Sequence, residues 1–175
     1  ILLGLVGSEM CIRDRIESVE SNTTSDFQVS FTPKDNVTAA QHLFTITATS
    51  QGNISRSDST VVGITLNQYY GIEIVMPLDF QKVFPGNTLF YPVKITNEGN
   101  GEDTFDLYTS SDWGAQIRID GSPSGEISLA PFRSVDAELK VVVPDTVSVN
   151  DFKEIPFTAI SPVSYTHLTL PTIRE

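Results

Sequence analysis

Four carboxylates, Glu98, Glu102, Asp103 and Asp106, fall close together around the turn Asn97-Glu98-Gly99-Asn100-Gly101. Carboxylate oxygens suit calcium, so these four are candidate ligands. Their spacing does not match an EF-hand loop, and solvated loop charge is the commoner outcome for such a cluster. No metal site is assigned and no cofactor is expected. Glycoside hydrolysis needs two carboxylates facing each other across a cleft, and nothing in the pattern separates such a pair from an acidic surface. Cys11 is the only cysteine, and His42 and His167 are the only histidines. Three asparagines, Asn22, Asn36 and Asn53, head Asn-x-Ser/Thr triplets and are candidate glycosylation sites if the chain is exported.

The two ends of the chain narrow this inventory further. Met10-Cys11-Ile12-Arg13-Asp14 can be encoded as ATG TGT ATA AGA GAC. The reverse complement of that DNA translates in frame as Val-Ser-Tyr-Thr-His, which is Val163-Ser164-Tyr165-Thr166-His167. One DNA element read on opposite strands accounts for both ends. The longer strings 5–15 and 163–172 resemble translated transposase-type sequencing adapters, joined to both ends of one genomic fragment. Residues 1–15 and 163–175 are therefore expected to take no native part in the fold. Cys11 and His167 leave with them. His42 remains, sitting by a strand start, and a surface position is expected for it. No Cys–His pair, His-based triad or zinc cluster can be assembled, and no enzyme activity is expected. Segment 16–162 then begins and stops mid-protein, so its native termini, leader and anchor are not visible.

The elements that must position these residues read as strands. Phe27, Val29 and Phe31 alternate with polar residues up to Pro33. Leu43 to Ala48 is a second run, and Val62, Ile64 and Leu66 a third, with the same parity continuing through Tyr70, Ile72, Ile74 and Met76. Leu89, Tyr91, Val93 and Ile95 follow. Then come Phe105 and Leu107, and Ala115, Ile117 and Ile119. After the turn cluster 120–125 come Ile127 and Leu129, then Val135 to Val143, and Ile155, Phe157 and Ala159. Apolar residues do not recur at helical spacing. Short alternating strands with turn punctuation predict an all-β chain built as antiparallel sandwiches. The inward residues of 78–162 should include Val93, Ile95, Phe105, Leu107, Ile117, Leu129, Leu139, Val141 and Phe157. Trp113 is expected to cap the core at a sandwich end.

A shift of 111 positions lays Pro33 on Pro144, Thr47 on Thr158, Ala48 on Ala159 and Ser50 on Ser161. Phe44 and Ile46 then fall on Ile155 and Phe157. Phe31 falls on Val142, one residue out of phase. The repeat divides the chain into the C-terminal part of a first sandwich (16–68), a short stiff junction (69–77), and a second sandwich (78–162) that lacks its last strand. The β-prone residues 163–170 are expected to lie along the vacant edge as a substitute.

Within the second sandwich the order is Pro85-Gly86-Asn87-Thr88, then Tyr91 to Asn100 ending Thr-Asn-Glu-Gly-Asn. Asp103-Thr104-Phe105, Asp112-Trp113, Leu129-Ala130-Pro131 and Val141-Val142-Val143-Pro144 follow. This order resembles the immunoglobulin-like module associated with alpha-galactosidases, related to the CARDB cell-adhesion repeats of archaeal and bacterial surface proteins. The resemblance covers about 71–162 well, and 16–68 only as the tail of a similar module. One departure is the usual Leu-Ala-Pro-Gly turn, which here reads Leu-Ala-Pro-Phe-Arg.

The resemblance implies tandem immunoglobulin-like sandwiches, both incomplete, at the cell surface or outside the cell. It implies a non-catalytic structural or adhesion repeat of a large exported protein. The alternative is an accessory spacer or carbohydrate-binding domain beside a secreted glycoside hydrolase or protease. The partners implied are neighbouring repeats of the same chain and cell-surface glycans or proteins. With 22 acidic against 11 basic residues and a net charge of −11, the chain lacks the basic footprint that nucleic acid requires.

Overall fold

A computed structural model describes residues 2–6, 10–11, 18–148, 151–164 and 167–170, with the backbone alone for most residues of the end strands. The chain is all-β with antiparallel sheets, and no helix occurs among the described residues. It divides into two compact units, Ile1–Gln68 and Tyr69–Glu175.

The first unit contains β1 (Leu2–Val6), β2 (Met10–Cys11), β3 (Thr32–Pro33), β4 (Gln41–Thr49) and β5 (Ser57–Thr65). Strands β4 and β5 form a hairpin, with Phe44 opposite Val62 and Ile46 opposite Thr60. Phe44 is buried, and Val62 and Ile64 are half-buried on the same face. Strand β1 pairs with the other edge of β4. Residues 1–15, set aside above as adapter-derived, thus place five residues along this edge. The open edge of β4 offers unpaired N–H and C=O groups, and an apolar pentapeptide satisfies them whatever its origin. The alternating run Phe27–Phe31 is corrected, because only Thr32–Pro33 forms a strand there. Phe27 is exposed, while the Phe31 ring packs on Phe44 with centroids 5.0 Å apart. One side-chain contact there takes the place of a ladder.

The second unit contains β6 (Ile72–Val75), β7 (Thr88–Asn97), β8 (Asp103–Thr109), β9 (Gly114–Ile119), β10 (Ser122–Pro123), β11 (Glu126–Leu129), β12 (Ser134–Val142), β13 (Phe157–Ile160) and β14 (His167–Leu170). Five strands form one sheet in the order β10-β9-β12-β7-β6, and four form another in the order β11-β8-β13-β14. Strand β6 lies inside the stretch 69–77 and pairs with β7, Ile72 opposite Asn97. Pro92, mid-strand in β7, falls beyond the last β6 pair at Lys94, where a missing N–H interrupts no ladder on that side.

Alternation places the core. In β7 every second residue from Leu89 to Asn97 points inward. All nine side chains expected inside are buried, with Tyr91, Ile74, Ala137, Val143, Ile155 and Ala159 among those that join them. Both sheets contribute, so they share one core. Each large apolar side chain so buried contributes about 1.5–3 kcal/mol. Strand β14, within 163–170, lies on the free edge of β13, Phe157 opposite Leu170.

The turns follow local chemistry. Pro85-Gly86 occupies a tight turn closed by Asn87 N–H donating to Phe84 O at 3.3 Å, with Gly86 at φ +82°. That is the glycine-requiring position of a type II turn. Asp120-Gly121, both at positive φ, closes the β9–β10 hairpin.

Candidate functional site

Polar side chains gather at two places in the second unit. The first is the corner after β7. Asn97 is fully buried. Its Nδ2 donates to the carbonyls of Gly101 and Leu129 at 2.9 Å and lies 3.3 Å from that of Ala130; its Oδ1 accepts from Gly99 N–H at 2.8 Å. Its backbone N–H donates to Arg133 O at 2.9 Å. Asn100, also buried, accepts from Tyr69 N–H through Oδ1 at 2.8 Å. A Cβ on Gly99 would stand 2.7 Å from Tyr69 O, so only glycine fits that close approach. These groups satisfy backbone that a turning strand leaves unpaired.

The four candidate calcium carboxylates are not gathered into one set. Asp103 opens β8 pointing inward, where its Oδ1 accepts from the buried Ser161 hydroxyl at 3.1 Å and from Thr104 N–H at 2.9 Å. Its Oδ2 is buried with no hydrogen-bond partner. Asp106, three residues on, has the opposite parity and faces outward, opposite Glu126. There Tyr108 Oη donates to it at 3.3 Å, and the Asp106 charge pushes the Tyr108 phenol above its ordinary value. Glu98 and Glu102 are exposed. Strand pleating separates what sequence proximity suggested. Among the described residues, no three His, Cys, Asp or Glu side chains lie together as a metal group.

Asn22, Asn36 and Asn53 are all exposed, the first two at positive φ and the third in the turn between β4 and β5, where its Oδ1 accepts from Ser55 N–H at 3.1 Å. His42 is half-buried on β4, its Nε2 3.2 Å from Thr38 O. The side chains of Cys11 and His167 lie outside the described residues.

The second gathering is a cleft of ≈ 270 Å³ at the sandwich end where β12 finishes and β9 begins. Leu89, Val143 and Val147 line it, with Trp113, Phe84 and Phe152. Trp113 is half-buried and packs on the core. Phe84 and Phe152 are 81% and 62% exposed. Polar groups come from Gln81, Lys82, Ser148, Asp151 and Lys153. Lys153 pairs with Asp112, and the hydrogen bond from its ammonium holds the Asp112 carboxyl below its usual value. Ser148 N–H donates to Asp151 Oδ2 at 2.8 Å, pinning the loop. Sequence reasoning singled out Trp113 and missed its two neighbours. Phe84 and Phe152 stand in loops, outside any period, and the Pro85-Gly86 turn beside Phe84 was the one available signal.

No protein-family model and no curated protein matches the chain. No helix among the described residues is long and apolar enough to cross a membrane.

Proposed function

We propose that the chain carries part of a tandem array of immunoglobulin-like modules, acting as a structural or adhesion repeat of a large exported surface protein with no catalysis of its own. The observation that carries this reading is the strand order. β6-β7-β12-β9 facing β8-β13-β14 follows the A-B-E-D and C-F-G sheets of an immunoglobulin constant-type sandwich, in chain order, with β10 and β11 as additions. The resemblance of 71–162 to the module associated with alpha-galactosidases agrees with that order.

The internal repeat supports the tandem part. At the 111-residue shift β4 overlies β13, and Phe44, buried, corresponds to Ile155, buried. Strand β5 then corresponds to the place held by β14, each the hairpin partner of the strand before it. The adapter reading of the ends supports taking β1 and β14 as substitutes at the edges of incomplete sandwiches. The candidate ligand Asp103 is engaged with the buried Ser161, and Asn97 holds the neighbouring corner.

The alternative is an accessory module beside a secreted hydrolase, and the aromatic cleft is the observation that favours it. The test of the non-catalytic reading is direct. The 175-residue chain is incubated with glycan and peptide substrates. No turnover is expected. Turnover abolished by a single carboxylate substitution would overturn the reading.

A further inference from the structure

We propose that the cleft between Phe84, Trp113 and Phe152 binds a neutral pyranose ring of a glycan. Two large aromatic side chains stand 81% and 62% in water on separate loops that border one cleft. Exposed apolar groups concentrated in this way mark binding surfaces. Phe84 is held there by its backbone. Its carbonyl accepts from Asn87 N–H, Gly86 N–H donates to Val143 O at 3.1 Å, and Val143 N–H donates to Asn87 O at 2.9 Å. These bonds fix the backbone at Phe84, which lowers the ordering cost on that side of the cleft.

The lining selects the ligand. Aromatic faces and the aliphatic floor suit the C–H face of a sugar ring, while Gln81, Ser148 and Asp151 bring polar groups for its hydroxyls. Lys82 and Lys153 are offset at the cleft by Asp151 and by Asp112, the partner of Lys153. With no net charge of either sign at the cleft, a neutral ring is the ligand that fits. The ≈ 270 Å³ cleft lies just under the ~300–1,000 Å³ of drug-sized pockets, which suits one ring of a longer glycan. This inference adds a ligand to the structural reading above, and either can fail without the other.

Trp113 is the only tryptophan, so its fluorescence reports this cleft alone. The 175-residue chain is titrated with neutral gluco-, galacto- and manno-oligosaccharides, with a uronic-acid oligosaccharide, and with a proline-rich peptide. A saturable change in emission is expected with at least one neutral glycan and with neither of the others. Phe84→Ala and Phe152→Ala should each weaken it about tenfold, the scale of losing one aromatic anchor. Both side chains are exposed, so circular dichroism and melting should not change. Phe84→Leu, which keeps apolar bulk without the π face, should fold alike and still lose most of the binding. The inference is overturned if no neutral glycan gives a saturable change, if the change survives both alanine variants, or if only the acidic glycan or the peptide responds.

Discussion

Asn97 Nδ2 donates to the Leu129 carbonyl at 2.9 Å, joining the last residue of β7 to the last residue of β11, strands of opposite sheets. One fully buried amide thus ties the two layers together at a corner. Asn97→Ala should cost about 3 kcal/mol, because it leaves several buried carbonyls and the Gly99 N–H without their partner. Asn97→Asp should cost at least as much, since it replaces the donor with a carboxylate oxygen that faces three carbonyl oxygens. Urea unfolding of both variants checks this; a loss under 1 kcal/mol in Asn97→Asp would remove the corner from the account.

Phe132 sits at φ +58° in the turn closed by Arg133 N–H donating to Ala130 O at 3.2 Å. This is the departure noted in Leu-Ala-Pro-Phe-Arg, and the backbone there takes the conformation that favours glycine. A bulky residue in the left-handed region costs about 1–2 kcal/mol. Phe132→Gly relieves that strain but gives up a half-buried ring and loosens the unfolded chain. Relief of about 1–2 kcal/mol is offset by about 0.4–1 kcal/mol from the looser chain and by the lost ring contact, so a melting temperature close to that of the parent is expected. A fall would show that the ring's packing outweighs the strain.

Tyr91 is fully buried, its hydroxyl has no hydrogen-bond partner, and burial pushes its phenol up to about 12 from an ordinary 10.0. Below pH 10 both folded and unfolded states keep the proton, and full stability is present. Between pH 10 and 12 the unfolded chain ionises first, so stability falls as pH rises. Tyr91→Phe should lessen that fall and raise stability near neutral pH by about 1–2 kcal/mol, since an unsatisfied buried hydroxyl is removed. Chemical denaturation at pH 7 and pH 11 measures both effects. An unchanged pH slope in the variant would contradict the assignment.

Strand β14 covers four residues of the β13 edge, whereas β5 in the first unit runs for nine. On the proposal that 163–175 stands in for native sequence, replacing it with about ten residues of the natural continuation should lengthen this closing strand and bury more apolar surface. A gain of even one large side chain, about 1.5–3 kcal/mol, would raise the melting temperature by several degrees in a domain of this size. Equal melting temperatures would show that β14 already closes the edge as well as a native strand does.

Most of the second unit was legible because its strands are long enough for parity to decide which face is buried. The inward residues of β7, β8 and β12 follow from period two alone. The first unit was less legible. Phe27, Val29 and Phe31 alternate correctly, yet a strand also needs a neighbour, and sequence pattern does not supply one. The arrangement of the carboxylates was hidden for a related reason: Asp103 and Asp106 are close in sequence, and pleating puts them on opposite faces. Phe84 and Phe152 could not be brought together beforehand, because loops separated by a sandwich leave no periodic trace.

The proposed function is tested most directly by reading the genomic DNA that continues from residue 16 on one side and residue 162 on the other. The account predicts an open frame without the Met-Cys-Ile-Arg-Asp and Val-Ser-Tyr-Thr-His strings. It should run into further modules that repeat the strand, Thr-Asn-x-Gly-Asn corner and proline-ended strand, with a membrane anchor toward the C-terminus. A catalytic hydrolase or protease domain adjoining the segment, with no further repeats, would contradict it.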